Sequence, residues 1–304
     1  MKDSKGKVAR KRAASNRSRK FRRAVKWLCL FAVLAFIIDA VLYEPYHPVL
    51  TTYDVAMPGL PESLDGFRVV QLSDFHRSLA VPGGPIDRAV QLANGAHADV
   101  ALLTGDFVSR NAANATSCCN SLSKLRTIRG AYAVLGNHDY WTNAPKVSRA
   151  ITNSGIKLLT NRGLRLPNGL WLVGVDDEWS GAPDEVAAFR DVKPGDPCVM
   201  LCHEPISIKR FAGRTGLLVT GHTHGGQVNL PIFTKRLVAL THHGSYVWGW
   251  YRQGGVLMYV NRGIGTVFPP MRFRCRPEVT LFILHPTTRS RPCSIAAGLD
   301  LRYP

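Results

Sequence analysis

Short apolar runs that stop abruptly at polar residues recur along the middle of the chain, for example at 67–72, 100–103 and 217–219. Near-continuous apolar runs of this length are typical of strands buried on both faces, as in a sheet covered by helices. Amphipathic stretches at 86–96 and 118–128 lie between some of the runs. The alternation of strands and helices predicts a layered α/β core.

Five of the runs end in residues of the types that bind metals. The residues at these ends are Asp74 and His76, Asp106, Asn137 and His138, His203, and His222 and His224. In open sheets flanked by helices, ligands bind beyond the carboxyl ends of the strands. We therefore expect these side chains to meet at one place.

The residue types indicate a site for two metal ions. Two ions about 3.5 to 4 Å apart need a shared anionic ligand together with oxygen and nitrogen donors, and Asp106 suits the shared position. Histidine ligands favour Mn, Fe or Zn over Mg or Ca, and the five motifs contain no cysteine, which argues against a closed structural zinc site. We expect two divalent transition-metal ions as cofactors.

The order and spacing of these motifs resemble the signature of the calcineurin-like metallophosphoesterases. The motifs are Asp74-x-His76, Gly105-Asp106, Gly136-Asn137-His138-Asp139, His203 and Gly221-His222-Thr223-His224. The resemblance covers roughly 64–285. It implies that family's fold, a layered β-sandwich core flanked by helices, and that family's reaction, the hydrolysis of phosphoester or pyrophosphate bonds through attack by metal-bound hydroxide.

The resemblance also implies a role for each site residue. One metal would be bound by Asp74, His76, Asp106 and His224. The other would be bound by Asp106, Asn137, His203 and His222. His138 would contact the phosphate and help the leaving group, with Asp139 orienting it. Ser109 departs from the family pattern, because many members have an acidic residue three positions after the Gly-Asp pair, and this departure concerns a supporting contact rather than a metal ligand.

The charge of the chain is concentrated near its start. The formal net charge is +18, and residues 1–26 contribute twelve Lys or Arg and one acid, a net of +11. We expect residues 1–23 to form a disordered basic arm. The apolar segment 24–43 is about long enough to cross a bilayer. It predicts a single membrane anchor in an inner or plasma membrane, with the basic arm on the cytoplasmic side.

Two other interpretations of the N-terminal segment compete with the anchor. A cleaved export signal would explain the uninterrupted apolar run of twelve residues, 27–38, but no small-x-small cleavage site follows it. A buried helix with a nucleic-acid-binding arm would explain the charge, but no base-reading or stacking features accompany it. Nucleic acid is therefore a disfavoured partner. We predict a linker at 44–63 with one edge strand at 51–56, and a poorly ordered tail at 286–304.

Several polar and aromatic residues lie outside the five motifs. Arg262, Arg272 and Arg274 are candidates for binding a second phosphate or an anionic headgroup, because guanidinium pairs well with phosphate oxygens. Tyr246, Trp248 and Trp250 alternate as on one face of a strand. We interpret this aromatic stripe as packing between sheets, and the alternative is a wall for an acyl chain, a sugar or the membrane interface. We interpret the acids at 176–178 as a solvated turn, and His242 and His243 as surface or rim residues.

The predicted membrane anchor favours a lipid-linked phosphodiester or pyrophosphate as substrate. The chain is similar to a membrane-associated bacterial branch of the family, some members of which cleave the pyrophosphate of a UDP-diacylglucosamine precursor of lipid A. That reaction takes place on the cytoplasmic side, whereas the positive-inside rule puts the domain on the other side. A helix lying in the membrane interface would remove this conflict. A protein that keeps the fold without turnover is a further alternative, although all seven ligand positions are filled.

Overall fold

The computed structural model describes residues 2–78, 81–230, 234 and 246–287. By their internal contacts the residues fall into two compact units, Met1–Tyr43 and Glu44–Pro304. The predicted tail at 286–304 lies almost wholly outside the described residues, as do His242 and His243.

The first unit is helical from Lys2 onward. Helix α1 spans Lys2–Ile37, and a π-helical segment, Ile38–Tyr43, follows it. The basic residues at 2–23, which we expected to form a disordered arm, continue this helix in the structure. Alanine, lysine and arginine are among the best helix formers, and extending an existing helix avoids the cost of starting a new one. By length and composition, Asn16–Tyr46 can cross a membrane.

The second unit is built on two mixed sheets. The strands of the first sheet are β1 (Val49–Met57), β2 (Phe67–Leu72), β3 (Val100–Thr104), β4 (Ala131–Val134), β5 (Lys157–Leu158) and β12 (Glu278–Pro286). They are ordered β1-β12-β2-β3-β4-β5, and all neighbours are parallel except β12 and β2. Strands β2, β3 and β4 thus point their carboxyl ends toward the same edge.

The second sheet is also mixed and also has six strands. Its strands are β6 (Arg162–Arg165), β7 (Trp171–Gly174), β8 (Cys198–Leu201), β9 (Thr215–Thr220), β10 (Gly249–Gln253) and β11 (Gly255–Val260). Their order is β10-β11-β9-β8-β7-β6, with antiparallel pairs only at the two ends of the sheet. The two sheets face each other across an apolar core that includes Val69, Leu102, Leu201 and Val219.

Helices cover the outer faces of both sheets. Helices α2 (Gly83–Gly95), α3 (Ala115–Leu122) and α4 (Asn137–Asn153) pack on the first sheet. The short helix α5 (Glu185–Ala188) and a 3-10 helix, Pro205–Phe211, pack on the second. The prediction of a layered β-sandwich core flanked by helices is confirmed.

The segment predicted as a linker belongs to the second unit. The edge strand expected at 51–56 is present, and β1 pairs over its whole length with β12, from Val49 opposite Glu278 to Met57 opposite Pro286. The side chain of His285 on β12 also contacts Asp54 and Asp65, at 2.8 and 2.6 Å. The compact unit begins at Glu44 and not near 64. Pairing over a separation of about 230 residues leaves no local trace in the sequence.

The aromatic stripe is not a continuous wall. Strand β10 begins at Gly249, so Tyr246 and Trp248 precede it. Trp250 is buried between the sheets, where its ring lies 5.2 Å from that of Tyr53 and 4.9 Å from that of Tyr259, measured between centroids. Packing between sheets, the interpretation that we favoured, is what the structure shows for Trp250.

Candidate metal centre

The loops that follow five strands carry all seven predicted ligands to one edge of the β-sandwich. Strands β2, β3 and β4 of the first sheet are followed by Asp74 and His76, Asp106 and Asn137. Strands β8 and β9 of the second sheet are followed by His203 and by His222 and His224. All are buried except His222, which is partly exposed. The expectation that these side chains meet at one place therefore agrees with the structure.

The first group of donor atoms surrounds His76. Its Nε2 lies 2.9 Å from Nε2 of His224 and 3.2 Å from Oδ2 of Asp106. Oδ1 of Asp74 lies 3.5 Å from Nε2 of His224. Donor atoms of Asp74, His76 and His224 all lie within 4.8 Å of one another, which is close enough for one cation to contact each.

The second group surrounds His203. Its Nε2 lies 3.3 Å from Oδ2 of Asp106 and 3.2 Å from Nδ1 of His222. Nδ1 of His222 is also 3.1 Å from Oδ1 of Asn137. The same oxygen of Asp106 therefore faces both groups, which is the geometry expected of a bridging carboxylate.

The hydrogen bonds around His203 show that the site suits cations. Nδ1 of His203 lies 2.6 Å from the carbonyl oxygen of Thr104. A carbonyl can only accept, so this nitrogen carries the proton, and in the neutral ring Nε2 directs a lone pair at the Asp106 carboxylate. Such an arrangement is unfavourable unless positive charge lies between the two groups. Imidazole, carboxylate and amide donors together fit divalent transition metals.

The charges of the pocket lead to the same conclusion. Burial alone would raise the pKa of Asp106, but His203 and His76 hold that pKa well below its ordinary value. Burial alone would lower the pKa of His203, and the Asp106 carboxylate raises it well above the ordinary value. The buried carboxylate therefore attracts positive charge, either as a proton on imidazole or as a metal ion.

Backbone strain is concentrated at the same loops. Among the described residues other than glycine, nine have φ in the left-handed region, and five of these are predicted ligands. The five are Asp74, His76, Asp106, His222 and His224, with φ between 45° and 72°. This conformation is uncommon for side chains other than Asn and Asp and is characteristic of functional sites.

Two glycines allow the loops to approach one another. A Cβ atom added at Gly136 would collide with the carboxylate of Asp106. A Cβ atom added at Gly221 would collide with the side chains of Ser73 and Asp74. The glycines of the motifs are therefore required by the close packing of the loops.

His138 lies beside the first group of donors. Its ring is 4.7 Å from that of His76, and its Nδ1 lies 2.9 Å from the carbonyl oxygen of Ser109. Its backbone N–H donates to Oδ1 of Asp106. Because the carbonyl must accept, Nδ1 of His138 carries a proton, and Nε2 is the nitrogen available for chemistry.

Asp139 does not orient His138 through a side-chain contact, contrary to the expectation from the resemblance. Its Oδ1 accepts the backbone N–H groups of Phe107 and Val108, and its Oδ2 accepts that of Gly136. Asp139 therefore binds the Asp106 loop to the start of α4. The imidazole of His138 is oriented by the Ser109 carbonyl.

Ser109 retains a supporting contact despite replacing the acidic residue of many family members. Its hydroxyl lies 3.2 Å from Nδ1 of His76. A contact at this nitrogen leaves Nε2 of His76 directed at the donor group.

The arginines predicted to bind substrate have other partners. Arg272 is fully buried, and its guanidinium donates to the carbonyl oxygens of Gly265, Gly263 and Cys275 among others. Arg262 pairs with the buried carboxylate of Glu278, at 3.1 Å. The assignment of Arg272 as a substrate-binding residue is therefore wrong, since every contact described for its guanidinium is internal. A sequence pattern does not distinguish such an arginine from a surface one.

The acids at 176–178 do not form a solvated turn. Asp176 accepts a hydrogen bond from the Tyr140 hydroxyl at 2.6 Å, and Asp177 accepts from the backbone of Ser180 at 2.6 Å. Both carboxylates are buried. They organise the loop that follows β7.

Two tryptophans beside the site were not identified from the sequence. Trp141 is 61% exposed, and its ring lies 4.7 Å from that of His138. Trp179 is 42% exposed, and its ring lies 4.5 Å from that of His222. Trp141 follows the polar residues 137–139, and Trp179 follows the acids at 176–178. A large aromatic residue directly after a polar loop could therefore have indicated both positions from the sequence.

The fold and the donor set define a class, the metal-dependent hydrolases with a two-sheet core. A sequence model described as calcineurin-like phosphoesterase matches residues 67–226, more than half of the chain. The chain belongs to the calcineurin-like phosphoesterase family, and it is a metallophosphoesterase, a hydrolase of phosphoester bonds.

Relatives of this chain have names that describe different functions. Phosphodiesterase YaeI of Escherichia coli is 31% identical over 226 residues, covering 72% of this chain and 82% of YaeI. UDP-2,3-diacylglucosamine pyrophosphatase LpxG of Chlamydia muridarum is 27% identical over 298 residues, covering 78% and 89%. A transmembrane protein with metallophosphoesterase domain from Danio rerio is 28% identical over 282 residues, covering 87% of this chain but only 63% of that relative.

Proposed function

We propose that this protein is a membrane-anchored phosphodiesterase or pyrophosphatase that acts on lipid-linked or nucleotide-type substrates with two divalent metal ions, Mn, Fe or Zn. The observation that carries the metal-dependent part is the position of Asp106, whose Oδ2 lies 3.2 Å from Nε2 of His76 and 3.3 Å from Nε2 of His203. One carboxylate oxygen facing two imidazole groups is the shared anionic ligand that a pair of cations needs.

The seven predicted ligands divide into two sets that share Asp106. Asp74, His76, Asp106 and His224 would hold one ion. Asp106, Asn137, His203 and His222 would hold the other. When bound, the ions supply positive charge to the phosphate oxygens and lower the pKa of water. The burial of the donors keeps bulk water away from them, which strengthens every electrostatic interaction with the substrate phosphate.

His138 carries protons to the departing group. Its Nδ1–H is held by the Ser109 carbonyl, so a proton for the leaving oxygen travels on Nε2. Burial lowers the pKa of His138 from its ordinary value. A neutral imidazole at rest takes up a proton more readily once the anionic phosphate is beside it.

The two tryptophans support a substrate with a substantial group beyond the phosphate. Trp141 and Trp179 are each exposed and lie next to a site histidine. An aromatic face of this kind packs against a nucleobase, a sugar or an acyl chain. A diester or pyrophosphate has such a group on each side of the bond that breaks, which favours these substrates over simple monoesters.

The exposed apolar helix supports attachment to a membrane. The side chains of Trp27 and Phe31 are 69% and 71% exposed, and the run 27–38 holds no charged residue. A helix that is apolar all round is stable only when apolar material surrounds it. A lipid bilayer supplies that surrounding, and residues 24–43 are long enough to span it.

Hydrolysis of UDP-2,3-diacylglucosamine is the more specific candidate, and the relationship to LpxG favours it. It requires the site to face the cytoplasm, whereas the basic arm directs the domain to the other side. Protease accessibility in sealed membranes, combined with UMP release from the lipid-linked UDP substrate, tests topology and substrate together. Cleavage of the domain from outside, without UMP release, would exclude this substrate and leave phosphodiester hydrolysis standing.

The broader proposal is tested with the purified full-length protein. We expect bound transition metal by elemental analysis and hydrolysis of bis(p-nitrophenyl) phosphate, with both lost in Asp106→Asn. An active enzyme without metal, or an active Asp106→Asn variant, would contradict the proposal.

A further inference from the structure

The most exposed large apolar side chain of the described residues is Phe268, at 83%. It lies in the apolar loop, residues 267–271, with the sequence Val-Phe-Pro-Pro-Met. None of these five side chains is buried, and none is charged. Phe268 and Pro269 are exposed, and the other three residues are partly exposed. Single exposed apolar residues are ordinary, but a contiguous apolar surface of this kind marks a contact with other apolar material.

The apolar loop is held firmly by Gln227. The Gln227 side chain accepts the backbone N–H of Val267 at 2.7 Å and donates to the carbonyl oxygens of Val267 and Pro269. Gln227 is itself buried and lies three residues after the candidate ligand His224. The exposure of Phe268 is therefore a property of an ordered loop supported by the metal-binding segment.

The base of the loop is hydrogen-bonded to the start of the second unit. The Glu44 carboxylate accepts the backbone N–H of Arg274 at 2.8 Å and also that of Cys275. Arg274 follows Met271 by three residues, at most about 10 Å of extended chain. Glu44 itself lies within the candidate membrane span Asn16–Tyr46. A bilayer that holds this span comes close to the loop, because the hydrogen bonds of Glu44 join the end of the span to residues 274 and 275.

The surroundings of the loop are basic. Arg274 and Arg88 are exposed, and Arg88 donates to the Tyr46 carbonyl oxygen at 2.5 Å. Tyr46 and Pro270 of the apolar loop line the same cleft, so Arg88 lies on this side of the domain. Residues 264–277 contain no acid, and the carboxylate of Glu44 is occupied by two N–H groups. An apolar tip with flanking arginines matches the interface of an anionic bilayer, where rings enter the headgroup region and guanidinium pairs with phosphate.

We propose that the apolar loop inserts Phe268 into the headgroup region of the membrane, with Arg88 and Arg274 contacting lipid phosphates, and thereby docks the metal centre against the bilayer surface. This proposal rests on the membrane anchor of the proposed function. The backbone N–H of Gly265, two residues before the loop, donates to the carbonyl of Asp74 at 2.7 Å. Insertion of the loop therefore fixes the metal centre near lipid headgroups, so that a lipid phosphoester reaches it without leaving the membrane.

The docking is tested by photocrosslinking of the full chain in vesicles of phosphatidylcholine and phosphatidylglycerol. The photoreactive amino acid p-benzoylphenylalanine replaces Phe268 or, as a matched control, Ile128, which is 78% exposed. We expect phospholipid adducts on the peptide that contains position 268 and only background at position 128. Equal yields at both positions, or adducts only to protein at 268, would overturn the proposal.

A functional measurement separates docking from catalysis. We expect Phe268→Ser to lower turnover of a lipid phosphoester in vesicles several-fold and to leave hydrolysis of soluble bis(p-nitrophenyl) phosphate unchanged, with Ile128→Ser unaffected in both assays. Equal losses for both substrates, or no loss for either, would refute the docking role. A wild-type chain that hydrolyses neither substrate would count against the proposed function, while the crosslinking result would still decide whether the loop inserts.

Discussion

The carboxylate of Asp139 gives a sharp test of how the metal centre is held. It accepts three buried backbone N–H groups, those of Phe107, Val108 and Gly136. Asp139→Ala would leave all three without an acceptor. A buried donor left unsatisfied costs about 1 to 3 kcal/mol. The space left by the carboxylate is polar, so we expect water to enter it and the cost to stay near the lower bound, about 3 kcal/mol in total.

This loss has two measurable effects. For a domain of this size, about 3 kcal/mol corresponds to a fall in Tm of about 6 to 12 °C, measured by calorimetry. The loops that carry Asp106 and Asn137 would also lose their connection, and removal of such a supporting contact typically lowers metal affinity about 10- to 100-fold. Competition titration with a chelator measures that affinity.

Two further variants make the test specific. Asp139→Asn keeps an oxygen for Phe107 and Val108 but turns an N–H₂ group toward the Gly136 N–H, so we expect an intermediate effect. If Asp139 acted by orienting the His138 imidazole, Asp139→Ala would lower kcat as His138→Ala does and leave Tm and metal affinity unchanged. That result would refute the structural role assigned to Asp139.

Three other variants test separate features. We expect His138→Ala to lower kcat about 100-fold or more while metal content by elemental analysis stays at the wild-type level, because its ring moves protons and the seven predicted ligands remain; wild-type turnover would contradict this. Gly136→Ala pushes a methyl group into the Asp106 carboxylate, so we expect metal binding to be lost while the far-UV circular dichroism spectrum is retained. The control Gly84→Ala, where the methyl group has open space, should keep both metal binding and the spectrum. The carboxylates on both sides of His285 raise its pKa. The stabilisation of the fold by these ion pairs is therefore fully present below the pKa of His285 in the unfolded chain. It is lost as the pH rises through the raised pKa of His285 in the folded chain. His285→Gln should lower the free energy of unfolding by about 0.2 to 1 kcal/mol in mildly acidic buffer and by less in alkaline buffer; a difference that grows with pH would contradict the assignment.

The interior strands and the chemistry of the site were largely readable from the sequence. Strand β2 was predicted with its observed bounds, Phe67–Leu72. The carboxyl ends of β3 and β9 were correct to within one residue, because a strand buried on both faces is apolar along most of its length and ends where polar loop residues begin. The ligand types followed from the donors that transition metals prefer.

Contacts between residues far apart in the chain were decided only by the tertiary structure. Asp139 was predicted to act on its neighbour His138, yet its partners include amides about 30 residues away. Arg272 was predicted to bind anions, since arginine is usually exposed, yet carbonyl groups of its own loop bury it. The pairing of β1 with β12 joins residues about 230 positions apart.

The amino-acid sequence alone therefore identified the candidate metal ligands and the interior strands of the sheets, because burial and donor chemistry act on each residue locally. The folded chain decided which polar groups serve the substrate and which hold the loops together. A carboxylate or guanidinium takes whichever partner the packing brings within hydrogen-bonding distance, and that partner is set by contacts across the whole domain.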